Sequence, residues 1–310
     1  MQNSILFFSL LIIFSAGIAF AQENGQYKTN DSLAEAERAF AQMSVAIGQK
    51  EAFLEFLGDK GLMFNPDPIT AKDLLGGQPP TVQPQERVLD WEPIYGDVST
   101  GDDFGFNFGP WLAYDNKNPQ KKVLGRGYFL SIWKRMADGN WKVIVDAGTR
   151  VPPSNTEHKL GLPFKLARDL KKSSQTQSTK YDKNSVFELE RKFMEITKTQ
   201  GLFEAYSKSL DNSTLVMRFN FGAIWDLKSV GDYLKNNQLE KLSLELSPVD
   251  GEVSRAGDLA YSYGKYQLGG NDAVKEKGYY VHIWRFNEKT GWKIAVENLL
   301  PDPSFINSTK

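Results

Sequence analysis

Of the two histidines in the sequence, only His282 falls within a patterned segment. The run Gly278–Arg285 alternates so that His282 shares a face with Tyr280 and Trp284, while Tyr261 and Tyr263 occupy a neighbouring strand-like run. Glu297 closes the run after that. A histidine and a carboxylate in apolar surroundings make an acid–base pair, because low polarity moves their pKa values toward the working pH. His282 and Glu297 are therefore the candidate catalytic residues, suited to proton transfer on a small apolar substrate. The same pattern also describes a hydrogen-bonded core or interface histidine, which is the commoner case.

Other chemistry-bearing residues carry structural readings as well. Glu37 and Glu190 border the apolar stripes of two helix-like segments. They read as carboxylates turned into a pocket or, with more weight, as edge carboxylates held by a salt bridge or a strand amide. Phe106, Phe108, Trp111, Phe129 and Trp133, with Tyr261, Tyr263, Tyr280 and Trp284, are candidate ligand-lining residues that serve the core first. Asp97, Asp102 and Asp103 read as turn residues. No spacing resembles a metal site, a phosphate loop or a nucleophile elbow, and nothing calls for a cofactor. With no cysteine, disulfides and thiolate chemistry are excluded. With 37 basic against 38 acidic residues, nucleic acid is excluded as the main partner.

The elements that must position these residues occur twice. Ser32-Leu33-Ala34-Glu35 and Ser185-Val186-Phe187-Glu188 both read as capping boxes opening a helix. Glu37-Arg38-x-Phe40 and Glu190-Arg191-x-Phe193 follow, with apolar residues at helical spacing. Shorter helical stretches come next, at Glu51–Leu57 and Phe203–Leu210. Each copy then changes to period two. Phe104–Gly109 matches Leu259–Gly264, Gly127–Lys134 matches Gly278–Arg285, and Trp141–Asp146 matches Trp292–Glu297. Prolines close both copies. At the position of His282 the first copy has Ser131, so a specialised pocket is expected in the second. The period of about 150 residues means a duplicated domain and not a solenoid.

N-terminal helices followed by long strands ending in G-x-W-K resemble the nuclear transport factor 2-like proteins, in particular the SnoaL-like and ketosteroid-isomerase-like group. The residues that carry the resemblance are Glu37-Arg38-x-Phe40, Gly127-Tyr128 through Trp133 and Gly139-Asn140-Trp141-Lys142. Their counterparts are Glu190-Arg191-x-Phe193, Gly278-Tyr279 through Trp284 and Gly291-Trp292-Lys293. The resemblance implies an α+β fold of two tandem cone-shaped domains, each with N-terminal helices packed on a strongly curved antiparallel sheet around an apolar pocket. It also implies a partner on the outer sheet face. The strands around Tyr128 and Tyr279 are apolar on both faces, which needs cover on both. The two copies are thus expected to pack sheet to sheet as an intramolecular pseudo-dimer.

Residues 1–21 read as a signal peptide: an apolar run Ile5–Phe14, then small residues flanking Phe20 for cleavage before Gln22. Residues 1–4 carry no Lys or Arg, and an uncleaved anchor is the other reading. The division is then 30–153 for the first copy, 154–183 for a polar linker and 184–303 for the second copy. Within the linker, Leu162–Leu170 is expected to form a short basic helix packed on one domain. Periplasmic or secreted placement follows, with no membrane partner after cleavage. The leading functional reading is a non-enzymatic protein that binds a small apolar ligand or another protein. The alternatives are an isomerase, dehydratase or hydrolase-like enzyme using the second copy, and an assembly module of a cell-envelope complex. Polar residues paired inside an open pocket would favour the enzyme.

Overall fold

The protein is described by a computed structural model covering residues 29–154, 160–168, 180–270 and 273–303. The expected signal peptide, His158 and most of the linker's Ser/Thr/Gln run lie outside the described residues. No helix among those described is long and apolar enough to cross a membrane.

The chain folds into α+β structure with two large sheets. In order it forms α1 (Thr29–Ile47), α2 (Gln49–Phe56), β1 (Leu57–Phe64), β2 (Pro68–Thr70), α3 (Ala71–Leu75), β3 (Arg87–Trp91) and β4 (Tyr95–Val98). Then come β5 (Phe104–Asp115), β6 (Val123–Arg135), β7 (Trp141–Arg150) and β8 (Lys165–Leu166). The later part forms α4 (Lys183–Gln200), α5 (Leu202–Ser209), β9 (Leu210–Arg218), β10 (Gly222–Trp225) and α6 (Leu227–Asn236). It ends with β11 (Ser243–Val253), β12 (Leu259–Gly270), β13 (Ala273–Asn287) and β14 (Gly291–Pro301).

The two sheets share a plan. One runs β2-β1-β7-β6-β5-β4-β8, with β3 also on β5; the other runs β10-β9-β14-β13-β12-β11. The long strands are antiparallel, but the first strand of each copy joins the last in parallel, β1 to β7 and β9 to β14. Register shifts fall at matching places, Ile132/Trp133 and Ile283/Trp284, where an extra residue bends the strand over the helices. The glycine of each Gly-Tyr motif also has a reason. A Cβ at Gly127 would lie 1.9 Å from the Thr149 carbonyl oxygen, and one at Gly278 would lie 2.1 Å from that of Leu300.

Alternation along these strands sorts the core into three layers. Inside the first copy Phe40, Phe53, Trp91, Phe129, Trp133 and Trp141 pack between helices and sheet. Inside the second, Phe193, Tyr206, Tyr266, Tyr280 and Trp284 do the same. The third layer draws on both copies: Phe104, Phe106, Phe108, Leu130 and Ile132 meet Leu215, Leu259, Tyr261, Tyr263, Val281 and Ile283. Phe104 stacks on Tyr261 with ring centroids 5.7 Å apart and planes at 11°. Phe106, Phe108, Tyr261 and Tyr263, read from sequence as ligand-lining, instead lie in this layer between the sheets. Phe104, Phe106 and Phe108 of β5 and Leu259, Tyr261 and Tyr263 of β12 point away from the helices, a choice of face that alternation alone leaves open.

Several local expectations are corrected. Ser32 lies inside α1, where its hydroxyl accepts from Trp141 Nε1 at 3.3 Å, so it does not cap the helix. In the second copy the capping box is Asp182 with Ser185, three residues upstream of the expected pair. Aspartate is a strong N-cap, and Glu188 instead pairs with Arg191 at 2.9 Å. The expected linker helix is also replaced. Lys165-Leu166 adds a short parallel strand to β4, and Arg168 anchors it by an ion pair to Asp97 at 2.7 Å. Asp97 is no turn residue: it is buried in β4 and takes a second guanidinium, Arg285 of the other copy, also at 2.7 Å.

Candidate functional site

Each copy buries one carboxylate from its first helix against the middle of its sheet. In the first copy Glu37 accepts from Trp91 Nε1 at 2.7 Å, Trp133 Nε1 at 2.8 Å, Asn107 Nδ2 at 3.2 Å and the Ser131 hydroxyl. In the second, Glu190 accepts from Trp284 Nε1 at 2.7 Å, from the Ser262 hydroxyl and from His282 Nδ1 at 2.9 Å. Both are central and almost fully buried, not edge carboxylates. The tryptophan of each strand is thus polar as well as apolar in its role, since its ring fills the core while its N–H holds the helix carboxylate. Trp133, Tyr280 and Trp284, which the sequence offers as ligand-lining candidates, are enclosed in this packing.

His282 and Glu297 are brought together, with Nε2 2.9 Å from Oε2. Around Glu297 the Arg218 guanidinium forms an ion pair and the Tyr206 hydroxyl donates a hydrogen bond. Arg218 also donates to the Tyr206 oxygen at 2.7 Å. Sequence reasoning missed both Arg218 and Tyr206, because they come from β9 and α5, far from the patterned strand. Burial opposes a charge on His282, but Glu190 and Glu297 on either side overcome it and push the imidazole up to about 9. Burial likewise disfavours the Glu297 carboxylate, yet Arg218 and His282 hold it down at about 2. Two carboxylates and two cations thus balance. His282 and Glu297 have no accessible surface, so a substrate cannot reach them without opening the core. The pair expected in the second copy is therefore present but sealed.

An open cavity walled by aromatic rings lies in the first copy. A cavity of about 240 Å³ is lined by Phe53, Trp91, Trp111 and Phe129, with Asp146 inside, Arg87 and Arg150 among its walls, and Leu300 of the second copy at one side. Trp111 and Phe129 are the aromatics named from the sequence that line it. Strand register explains why space remains. Met63 pairs with Asp146 as Val216 pairs with Glu297, and β6 places Ser131 beside Asp146 as β13 places His282 beside Glu297. By the same count Phe53 stands where α5 has Tyr206, and Asn65 where β9 has Arg218. Shorter or less polar side chains at these positions leave a hole that the second copy fills with its ion cluster.

Asp146 is the distinctive group of this cavity. Its carboxyl makes no hydrogen bond among the described residues, and the residue retains some accessible surface. Burial, followed by the nearby Glu37 charge, pushes its carboxyl up to about 8. Burial also raises Glu37, against the pull of its four donors. Those donors favour the ionised form of Glu37, whereas Asp146 has no such donor. At neutral pH the cavity therefore presents a carboxylic acid O–H within aromatic walls. No group of three or more His, Asp or Glu residues that could hold a metal occurs among the described residues.

Comparison with known proteins gives structural likeness only. No family model matches the chain, and no curated protein matches it. Among solved structures, an NTF2-like protein of unknown function from Pseudomonas putida aligns at 12% identity and TM-score 0.31, covering 37% of this chain and 82% of its own. A candidate ketosteroid isomerase from Parabacteroides distasonis aligns at 18% identity and TM-score 0.31, covering 41% and 94%. A protein of unknown function with a cystatin-like fold from Nostoc punctiforme aligns at 12% identity and TM-score 0.32, covering 38% and 90%.

Proposed function

We propose that this is an exported small-molecule-binding protein, built as an intramolecular pseudo-dimer in which the first copy binds and the second braces. The observation that carries this reading is the contrast between matching positions. The first copy keeps a cavity of about 240 Å³ around Asp146, whereas the second closes the same place with Arg218, Tyr206, His282 and Glu297. Apolar walls with a few convergent polar groups are the usual make-up of a ligand site. Export rests on the segment 1–21 of the sequence alone.

Trp91 and Trp111 in the wall supply the test. Titration with 2-acetylnaphthalene should quench tryptophan fluorescence with a saturable, one-site curve. Met63→Trp, which fills the cavity and removes no hydrogen bond, should weaken that binding at least about tenfold, the scale of one lost buried aromatic contact. An unchanged titration in Met63→Trp would sink the assignment of the pocket.

The bracing role makes its own prediction. Expressed alone, residues 184–310 would present Leu259, Tyr261, Tyr263, Val281 and Ile283 to water, an apolar surface normally covered by the first copy. The fragment should run as a dimer or larger species in sedimentation velocity. A monomer that binds no apolar dye would count against the pseudo-dimer.

A further inference from the structure

Resting on the first copy being the binding site, we infer that its ligand is an apolar organic anion, an aromatic or fused-ring carboxylate that carries a hydrogen-bond acceptor at its other end. Three independent features of the cavity point to this class. The first is Arg87 and Arg150, which contribute to its wall and remain exposed. Neither forms an ion pair with a carboxylate among the described residues. Arg150 lies over the Trp111 ring, 5.8 Å from guanidinium carbon to centroid, which holds it at the aromatic wall. Surface arginines in this protein commonly find acids, as Arg135 finds Asp102 and Arg191 finds Glu188. Two guanidiniums without an acid at one cavity supply the charge and the N–H donors that suit a carboxylate.

The second feature is the body of the cavity. Phe53, Trp91, Trp111 and Phe129 supply flat apolar surface and few competing polar atoms, which selects rings over sugars or peptides. The third is Asp146, a carboxyl group without a protein partner among the described residues. A protonated acid is a donor, so it calls for a carbonyl, ether or phenol oxygen on the ligand. An ionised ligand group at that end would meet the charge of nearby Glu37, which already acts on Asp146. The anion therefore belongs at the arginines and the neutral oxygen at Asp146, which fixes one orientation.

The test uses the full-length chain and three probes: 6-acetyl-2-naphthoate, 2-naphthoate and 2-acetylnaphthalene. They carry both groups, the anion alone and the ketone alone. At pH 7 and low salt the bifunctional probe should bind about tenfold or more tighter than either of the others, the scale of one charge-assisted or one buried hydrogen bond. Arg87→Ala/Arg150→Ala should weaken both naphthoates by about tenfold and leave 2-acetylnaphthalene unchanged. Asp146→Ala should weaken both ketones and spare 2-naphthoate, while Asp146→Asn, which keeps a donor, should retain ketone binding. Equal binding of neutral and anionic probes, or naphthoate binding indifferent to the double arginine variant, overturns the ligand class while leaving the pocket standing. No saturable binding by any of the three overturns the pocket itself, and this inference with it.

Discussion

Replacing Arg218 by methionine lowers the stability of the folded chain by about 3–5 kcal/mol, the usual cost of leaving one partner of a buried ion pair alone. Arg218 and Glu297 are both almost fully enclosed, and no solvent path lets water take over from the guanidinium. His282 and Tyr206 still donate to Glu297, but one imidazolium then faces two carboxylates, Glu190 as well as Glu297. Charge that balanced as two against two no longer does. Urea denaturation at pH 7 reads the loss as a lower midpoint at unchanged slope. Adding Glu297→Gln removes the stranded charge and keeps an acceptor for Tyr206, so the double variant recovers most of the loss. A single variant within about 1 kcal/mol of the parent, the size of an ordinary surface ion pair, would refute the cluster's role as a filled and balanced core.

The second large effect is alkaline. The folded state holds a proton on His282 up to about 9, against 6.5 for a free imidazole. A raised pKa means the folded state binds that proton more tightly. The stabilisation is complete below pH 6.5 and is lost as the pH climbs from 6.5 through about 9. The loss is on the order of 3 kcal/mol, since each pH unit between the two values is worth about 1.4 kcal/mol for a fully buried group. Glu190 and Glu297 face the ring from opposite sides, and Arg218 stands behind Glu297. His282→Gln should make the fall between pH 6.5 and about 9 shallower, leaving only the share of Asp146 below about 8, whatever its stability in mild acid. Asp146 adds a fall of the same sign between its ordinary 3.8 and about 8, which Asp146→Asn removes separately. At the acid end Glu297 acts in the opposite sense: its stabilisation is present above pH 4.5 and fades toward about pH 2. A wild-type curve level from pH 6.5 to about 9 would show that the imidazole is neutral in the fold.

How much of this is legible in the residues depends on whether a feature is local. The paired order of helices and strands follows from alternation, caps and the Gly-Tyr and Trp-Lys motifs, which act within a few residues. Both helix glutamates are visible as border residues of a stripe, yet their depth is not. That depth comes from Trp133 and Trp284, whose indole N–H groups reach across the sheet-to-helix gap. The pairing of His282 with Glu297 follows from antiparallel register. Arg218 and Tyr206 do not, because a parallel strand and a second helix bring them in from 79 and 91 residues away. For the same reason the vacancy beside Asp146 is invisible in its own segment. It is set by what Ser131, Phe53 and Asn65 fail to fill, and a one-position comparison of Ser131 with His282 directs attention to the wrong copy.

Asp97 ties the two halves of the chain to each other. Its carboxylate lies inside the first sheet, but its counter-charges are Arg168 from the connecting segment and Arg285 from the second sheet. During synthesis Asp97 is made 188 residues before Arg285. Until that strand arrives, the first copy carries a buried acid short of one guanidinium and an uncovered aromatic face. The half that holds the cavity around Asp146 is thus made first and finished last. Once such a dependence runs from one copy to the other, neither can be shuffled, lost or replaced by an unrelated domain, and the pair is inherited as a single unit.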